Sequence, residues 1–535
     1  ASLAFAAVAA GAPALLLPGV VLLLVVAACA PRGRRLRVVL AAVPALVLLG
    51  PVLAEVVARG SDGLRLLLAD PGAPVASAPT SAVATLLGVP ADASSLVPAW
   101  LPDWVPDQVV TWWPVATGGA VLLLALLALL RGAPQARVVR LGWVVAVVGL
   151  AVALLAGRVV VGQDDGAVVV GWAGSGASLA AAGLLLAAVT GTRGLRHRLE
   201  GVTFGWRQLT AGLVAVVVVA LPLATWIGWA WQTRDGAAGD LTTRERAVVP
   251  AIGRQTQDSA DAPRVLALGA DADGSVDWQL LRGDGPQVVD DAAAVRTRDL
   301  AGALDDPATA EPDAATTELE AVVGTLSAGA TEDVATDLAA LAVANVLVPP
   351  VPVAQGDDVA QGQARSALVG RLDSTPGLER ITEGDTGVIW RVQPAGAASG
   401  DDDAEPVTAV VTAWARLVPD ASSATDADGL ATGSAAVAAE PGGRVATTIP
   451  AGDPGRLLVL AERADAGWRA TLDGRPLRAV TDGWRQTFEV GAAGGDLVVE
   501  HRATDRTVWT VAQVVVGALA LLLALPVRRR RAGRR

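Results

Sequence analysis

The stretch AGWRATLDGRPLRAVTDGWRQTFEV, Ala466 to Val490, has the short period of β-structure, yet the chain around it is dominated by runs of alanine, valine and leucine. In GWRATLDGRPL, Trp468, Ala470 and Leu472 fall on one face and Arg469, Thr471 and Asp473 on the other, as in a half-buried strand. Asp473-Gly474 has the composition of a two-residue hairpin turn, and Pro476 predicts an edge strand after it. A strand pair of this kind keeps one face in water. This part of the chain is therefore read as a soluble module.

The rest of the composition points to a bilayer. Of 535 residues, 52% are hydrophobic and 18% charged, so membrane spans and a water-exposed portion must coexist. Spanning helices are predicted at Ala4–Ala30, Leu36–Ala58, Pro114–Leu130, Leu141–Val161, Ala167–Thr190, Leu209–Trp231 and Val508–Val527, about seven in all, most of them near the ~20 residues a bilayer requires. The first is overlong and holds Pro13 and Pro18, which predicts a kink or two segments. The chain contains no Met, which implies an N-terminal region upstream of Ala1. Cys29 is the single cysteine and His197 and His501 are far apart, so neither a disulfide framework nor a zinc cluster is expected, and no metal site is assigned.

Arginine placement sets the expected orientation. The segments PRGRRLR (31–37), RGAPQARVVR (131–140), TRGLRHRLEGVTFGWR (192–207) and RRRRAGRR (528–535) fall on one side of the predicted spans. They hold 17 of the 42 basic residues and a single acid, Glu200, although the whole chain carries a net charge of −11. The basic side is read as cytoplasmic and the acidic bulk as exported. The tail 528–535 then anchors at the lipid surface, and nucleic acid is not expected as a partner of so acidic a chain.

These readings give a polytopic α-helical membrane protein with an extracytoplasmic α/β module followed by a β-sandwich. The expected parts are helices 1–2 (1–58), an outer loop (59–113), helices 3–6 (114–231), the α/β module (232–393), a small-residue linker (394–406), the sandwich (407–506), helix 7 (507–527) and the basic tail (528–535). In the α/β module RVLALG, VDWQLLRG, NVLVPP and TGVIWRVQ read as strands, and TTELEAVVGTL, EDVATDLAALAVA and ARSALVGRL as helices. In the sandwich VTAVVTAWARLV, GRVATTIP, GRLLVLAERA, GWRATL, WRQTFEV and GDLVVEHRA read as strands.

Candidate chemistry is sparse. Glu55 and Arg59 sit one turn apart at the outer end of the second span, near Asp70. An ionisable group at membrane depth is a functional candidate: Glu55 or Asp70 as a general base on an acceptor hydroxyl, Arg59 on a lipid phosphate. The bland alternative is an interfacial pair within snorkelling reach of water, and Arg158 at the end of the fourth span poses the same choice. Asp103, Trp104 and Asp107, in VPAWLPDWVPDQVVTWWP, either line a groove for a lipid-linked sugar or lie on the outer leaflet. Trp468 and Trp484 either stack on carbohydrate or fill the sandwich core. The acid pairs Asp271/Asp273, Asp401–Asp403 and Asp426/Asp428 have the Asp-x-Asp spacing of sugar-nucleotide enzymes but read as solvated loop acids in an Asp-rich chain.

The segments VLVPP, TPGLERI, VIWRV and LLVLAERADAGWRATLDGRPL, together with LLLADPGAPV, resemble the outer region of large actinobacterial membrane proteins of the family-2 glycosyltransferases, and GWRATLDGRPL resembles the C-terminal module of YfhO-like proteins. The resemblance implies the C-terminal membrane and extracytoplasmic half of a cell-envelope glycosyltransferase acting on polyprenyl-linked or envelope glycan. Its nucleotide-sugar domain, with any divalent metal, would lie upstream, and no cofactor is evident in these residues. Two alternatives stand beside it: an outer-face transferase using a polyprenyl-phosphate sugar, and a non-enzymatic scaffold or lipid-linked glycan translocator.

Overall fold

The computed structural model describes residues 2–60, 63–69, 81–89, 107–130, 135–164, 167–192, 212, 216, 220–228, 230–231, 248–283, 285–286, 313–351, 358–394, 410–440, 442–480, 483–502 and 506–525. The chain divides into two compact units, one holding Ala1–Thr242 and Thr507–Arg535, the other Thr243–Asp299 and Glu311–Arg506.

The first unit is helical. It contains α1 (Ser2–Gly11), α2 (Leu16–Cys29), α3 (Arg32–Val39), α4 (Val43–Leu48), α5 (Gly50–Ala58), α6 (Gly63–Leu66), α7 (Ala82–Leu87), α8 (Asp107–Leu129), α9 (Ala136–Ala156), α10 (Gly174–Thr192) and a C-terminal helix, Arg506–Ala524. Among the described residues four helices are long and apolar enough to cross a membrane: Trp112–Leu129, Ala136–Ala156, Gly174–Gly191 and Arg506–Ala524. A fifth is formed if the segments Arg32–Leu48 and Gly50–Ala58, bent by 77° to one another, make one broken span. These helices fit a multi-pass membrane protein.

The helix boundaries depart from the sequence expectation where proline or β-branched residues intervene. The predicted first span is interrupted at Ala12, where Pro13 starts a single 3-10 turn and α2 begins afresh at Leu16. The predicted second span bends at Leu49 ahead of Pro51, which has no N–H to continue the ladder. The Gln513 side-chain amide donates to the Leu48 carbonyl at this bend, at 3.0 Å, and the Trp509 ring occupies the space where Gly50 lacks a side chain. The expected helices Leu141–Val161 and Ala167–Thr190 are each shorter at the facing ends. There the valine-rich segments form an antiparallel hairpin, β1 (Val160–Asp164) with β2 (Ala167–Val170), and α10 starts only at Gly174. Of the predicted span 209–231, residues 220–228 are helical and much of the rest lies outside the described residues.

Helices α9 and α10 pack through small residues. Gly142, Ala146, Gly149 and Ala153 recur along one face of α9 and meet Gly176, Ala180, Gly183 and Ala187 of α10. A Cβ at Gly149 would overlap the Ala180 backbone nitrogen, so the two backbones approach as closely as glycine permits. Trp143 of α9 donates its indole N–H to the Ala125 carbonyl of α8, at 3.1 Å.

The second unit is rich in strands. A six-stranded sheet has the order β5 (Gly285–Pro286), β4 (Val276–Arg282), β3 (Arg264–Ala270), β6 (Val343–Val348), β8 (Gly387–Val392), β7 (Leu378–Gly384). All its pairings are antiparallel except β3 with β6. The parallel pair needs a crossover, which runs through α12 (Ala314–Ala328) and α13 (Ala335–Ala340). Leu266 and Leu268 pack on one face with Leu319 and Leu326 of α12 and Leu368 and Leu372 of α14 (Asp358–Asp373). Val265, Leu281 and Ile389 pack on the other with Ile252 of α11 (Ala251–Gln257). The helix expected over EDVATDLAALAVA stops at Ala340: Ala342 takes a positive φ of 55°, and the chain turns directly into β6.

Beyond it two antiparallel sheets face each other. One has the order β10 (Ala435–Val437), β9 (Ala415–Val418), β12 (Leu457–Arg463), β16 (Arg485–Glu489), β15 (Arg478–Val480). The other has β11 (Val445–Ile449), β17 (Gly495–His501), β13 (Trp468–Leu472), β14 (Arg475–Pro476). Leu458, Leu460 and Phe488 of the first meet Val445, Ala470, Leu497 and Val499 of the second in one buried core, the interior of a β-sandwich. Asp473 and Gly474 have φ of 50° and 74° in the hairpin turn the sequence predicts, and β14, with Pro476, is an edge strand. The first sheet is covered on its outer face by α13, α15 (Ala421–Thr425) and α16 (Ala427–Ala431), through Ala340, Ala424 and Leu430 against Leu457 and Val459. The α/β and sandwich portions thus share packing and form one compact unit. The expected linker 394–406 lies outside the described residues apart from Pro394.

Candidate functional site

In the helical unit α2 and α9 border an apolar groove of about 720 Å³. Leu17, Val21 and Leu22 with Val25 recur at helical spacing along α2, and Val144, Val148, Val152 and Leu155 along α9. On α9 the groove stripe lies away from the glycine-alanine face, because positions 142, 146, 149 and 153 point to α10 while 144, 148 and 155 point elsewhere around the helix. Close packing on one face of α9 therefore leaves branched side chains to line the groove on another. Leu64, Leu67 and Leu68, in and after α6, complete the wall.

Two arginines are among the residues that line this groove, Arg65 of α6, half-buried, and Arg158, exposed just past the end of α9. Among the described residues no other ionisable side chain lines the groove. The Arg65 Nη1 donates to the Val160 carbonyl of β1 at 3.5 Å, which ties α6 to the hairpin that follows α9. The arrangement combines an apolar slot with cationic, multi-donor groups, suited to a ligand with a hydrocarbon portion and an anionic oxygen cluster.

The residues singled out from sequence are distributed differently. Arg59 Nε donates to Glu55 Oε1 at 2.7 Å, an i,i+4 pair on α5 with side chains 31% and 54% exposed respectively. Neither lines the groove. Such a pair contributes about 0.3–0.5 kcal/mol in water. Asp70, Asp103 and Trp104 lie outside the described residues, and so does the side chain of Asp107, whose backbone opens α8. Arg65 was not singled out from sequence at all, since a lone arginine in LRLLLAD carries no local signal. Arg158 stands in the sequence at the end of a span, open to a functional or a snorkelling role.

In the strand-rich unit Trp468 is half-buried, its ring centroid 5.8 Å from that of Trp414 and 5.0 Å from the His501 ring, and it packs against the sandwich core. Asp465 Oδ1 lies 2.8 Å from His501 Nε2 and also accepts the Gly467 N–H at 2.7 Å. Trp484 donates its indole N–H to Glu318 Oε2 at 2.7 Å, and the Arg485 guanidinium covers its ring at 4.4 Å while pairing with Glu318. Trp484 is therefore part of the joint between α12 and the sandwich. Arg463 pairs with Asp313 at 3.1 Å, and Arg282 with Glu462 at 2.8 Å. Glu462 also accepts the Trp414 indole N–H at 2.9 Å.

The same joint holds Arg416 of β9, 1% exposed, donating to the carbonyls of Ala413, Leu430 and Ala339 at 3.1, 2.9 and 2.8 Å. Burial, with the Arg485 and Arg264 guanidiniums nearby, lowers its pKa to about 9, so it remains cationic at neutral pH. Burial alone would raise the Asp313 carboxyl, but hydrogen bonding and charge from Arg463 outweigh it and hold that group below its ordinary value. Asp337 is shifted upward by burial first and then by Glu318, Asp428 and Asp333.

The acid pairs have local structural work. Asp273 accepts from the Ser275 N–H at 3.0 Å and hydroxyl at 2.7 Å, which closes the β3–β4 turn and lowers its pKa. Asp426 caps α16 through the Gly429 N–H at 3.1 Å, while Asp401–Asp403 lie outside the described residues. Among the described residues no group of three or more histidine, cysteine, aspartate or glutamate side chains is arranged to hold a metal ion. No family model matches the chain, and neither does any curated protein or solved structure.

Proposed function

We propose that this chain is the membrane and extracytoplasmic portion of a cell-envelope glycosyltransferase acting on a polyprenyl-linked sugar or envelope glycan. The observation that carries the reading is the groove with Arg65 and Arg158, in a helical unit that shares its chain with a folded, strand-rich unit. A lipid-linked sugar needs both a hydrocarbon-lined path beside the bilayer and a folded module in water for the glycan. The resemblance of VLVPP, TPGLERI, VIWRV and GWRATLDGRPL to family-2 glycosyltransferase membrane proteins points the same way.

In this reading seven spans place the strand-rich unit outside the cell and the basic tail 528–535 in the cytoplasm, following the arginine distribution. The test is sugar transfer to lipid-linked acceptor in membranes carrying the chain, with or without an added nucleotide-sugar transferase domain. Transfer that needs the chain and the added domain together supports the reading, and absence of transfer in both overturns it.

A second reading has one observation in its favour: Arg158 follows the end of α9 that the charge rule places outside. That is where an outer-face transferase would hold the phosphate of a polyprenyl-phosphate sugar. Transfer by the chain alone from such a donor would select it.

A further inference from the structure

We infer that the groove between α2 and α9 is the seat of a polyisoprenoid phosphate, its chain along the two stripes and its phosphate on Arg65 and Arg158. The inference deepens the glycosyltransferase reading and rests on it for the choice of a prenyl chain over other tails.

The geometry supplies three arguments. First, the lining runs along α2 from Leu17 to Val25, roughly 14 Å of helix, and along α9 from Val144 to Leu155, roughly 18 Å. That length accommodates an extended hydrocarbon chain, and a slot between two helices suits one chain better than the paired tails of a diacyl lipid. Second, both ionisable residues of the lining, among the described residues, are arginines. They border one cavity from separate elements, α6 and the segment after α9, and the Arg65 guanidinium is held beside that segment by the Val160 carbonyl. Third, guanidinium is the side chain whose planar fork matches phosphate oxygens, and the pair supplies up to two positive charges for a phosphate monoester. Charge complementarity and an apolar wall together define an amphiphile with a compact anionic head.

The test uses the full chain in phosphatidylcholine nanodiscs with a photoreactive polyprenyl monophosphate. Labelled peptides are expected from α2 and α9, with labelling reduced about tenfold in the double variant Arg65→Gln/Arg158→Gln and partly restored by Arg65→Lys/Arg158→Lys. Val148→Trp, which leaves both arginines in place, is expected to block labelling by filling the slot, and thermal unfolding of each variant reports whether it folds. Unlabelled polyprenyl phosphate should compete, while the uncharged polyprenol, phosphatidylglycerol and inorganic phosphate should not. Equal competition by phosphatidylglycerol or polyprenol, or unchanged labelling in folded Arg65→Gln/Arg158→Gln, overturns the inference. Sugar transfer is measured separately. Transfer that persists in the double variant without labelling sinks the groove assignment and leaves the glycosyltransferase reading standing. Phosphate-selective labelling with no transfer in any form of the protein does the reverse.

Discussion

The helical unit and the strand-rich unit place their polar and apolar surfaces in opposite ways. In the first, large side chains such as Val147 and Leu523 face outward, 60% and 87% exposed, while the closest helix contacts are made by glycine and alanine. In the second, Val359 is the single large hydrophobic exposed among the described residues, and the interior holds Arg416, Arg485 and Glu462. Hydrocarbon gives no reward for burying leucine, so helices in a bilayer associate through close backbone approach. Water does give that reward, and the apolar surface it drives inward takes along those guanidiniums that find carbonyl and carboxylate partners.

The comparison can be broken at several points. The largest effect is expected for Arg416→Leu, which strands the carbonyls of Ala339, Ala413 and Leu430 in the interior. A loss of about 3–5 kcal/mol is expected, visible as a lower unfolding midpoint in the near-ultraviolet tryptophan signal of the full chain. A midpoint within error of the parent would show that the guanidinium is dispensable to the joint. Asp313→Asn comes next, at about 2–3 kcal/mol at pH 7, since it weakens the Arg463 pair at the start of α12.

The pH dependence of that second variant sharpens the point. The Asp313 carboxyl is held below its ordinary value, so the unfolded chain binds the proton more readily. Its stabilisation is complete above the ordinary aspartate value of about 4 and is lost as pH falls through the lower folded value. The difference between parent and Asp313→Asn should therefore shrink on acidification below pH about 4. A gap that stays constant would rule out the Arg463 charge as its source.

On the membrane side Gly149→Leu should separate α9 from α10 at a cost of about 1–3 kcal/mol, measured as thermal stability in detergent. If that variant unfolds with the parent, the small-residue contact does not hold the unit together. The smallest effect is expected for Gln513→Leu, which removes one hydrogen bond to the Leu48 carbonyl at the helix bend. About 0.6 kcal/mol is the size of such bonds in a bilayer, and a loss several times larger would make the bend the weak point of the unit.

Much of the strand-rich unit is legible in the chain because strand signals are local. The GWRATLDGRPL hairpin, with its turn at Asp473-Gly474 and edge at Pro476, follows from alternation and backbone preference alone. The edge strand β7 is harder to read, because Glu379, Arg380 and Glu383 interrupt its pattern as charges often do at a sheet edge. VTAVVTAWARLV reads as a long strand, yet among the described residues only Ala415–Val418 joins the ladder. Just before it, Trp414 gives its indole N–H to Glu462 while its carbonyl accepts the Ala461 N–H of β12 at 2.8 Å. Among helices, hydropathy marks the apolar runs, while the hairpin at Val160–Val170 passes for helix because valine-rich segments carry no periodicity to separate the two.

By itself the sequence determined the partition between lipid and water, the arginine asymmetry and the two-residue rhythm of the sandwich, all of which depend on residues close together in the chain. Only the tertiary structure decided which charges are buried and where the groove lies. Arg416 reads like any strand arginine until the carbonyls of Ala339 and Leu430 are brought to it. Arg65 and Arg158 come to one cavity only because α6 and the end of α9 border it, and long-range contact of that kind leaves no trace in local composition.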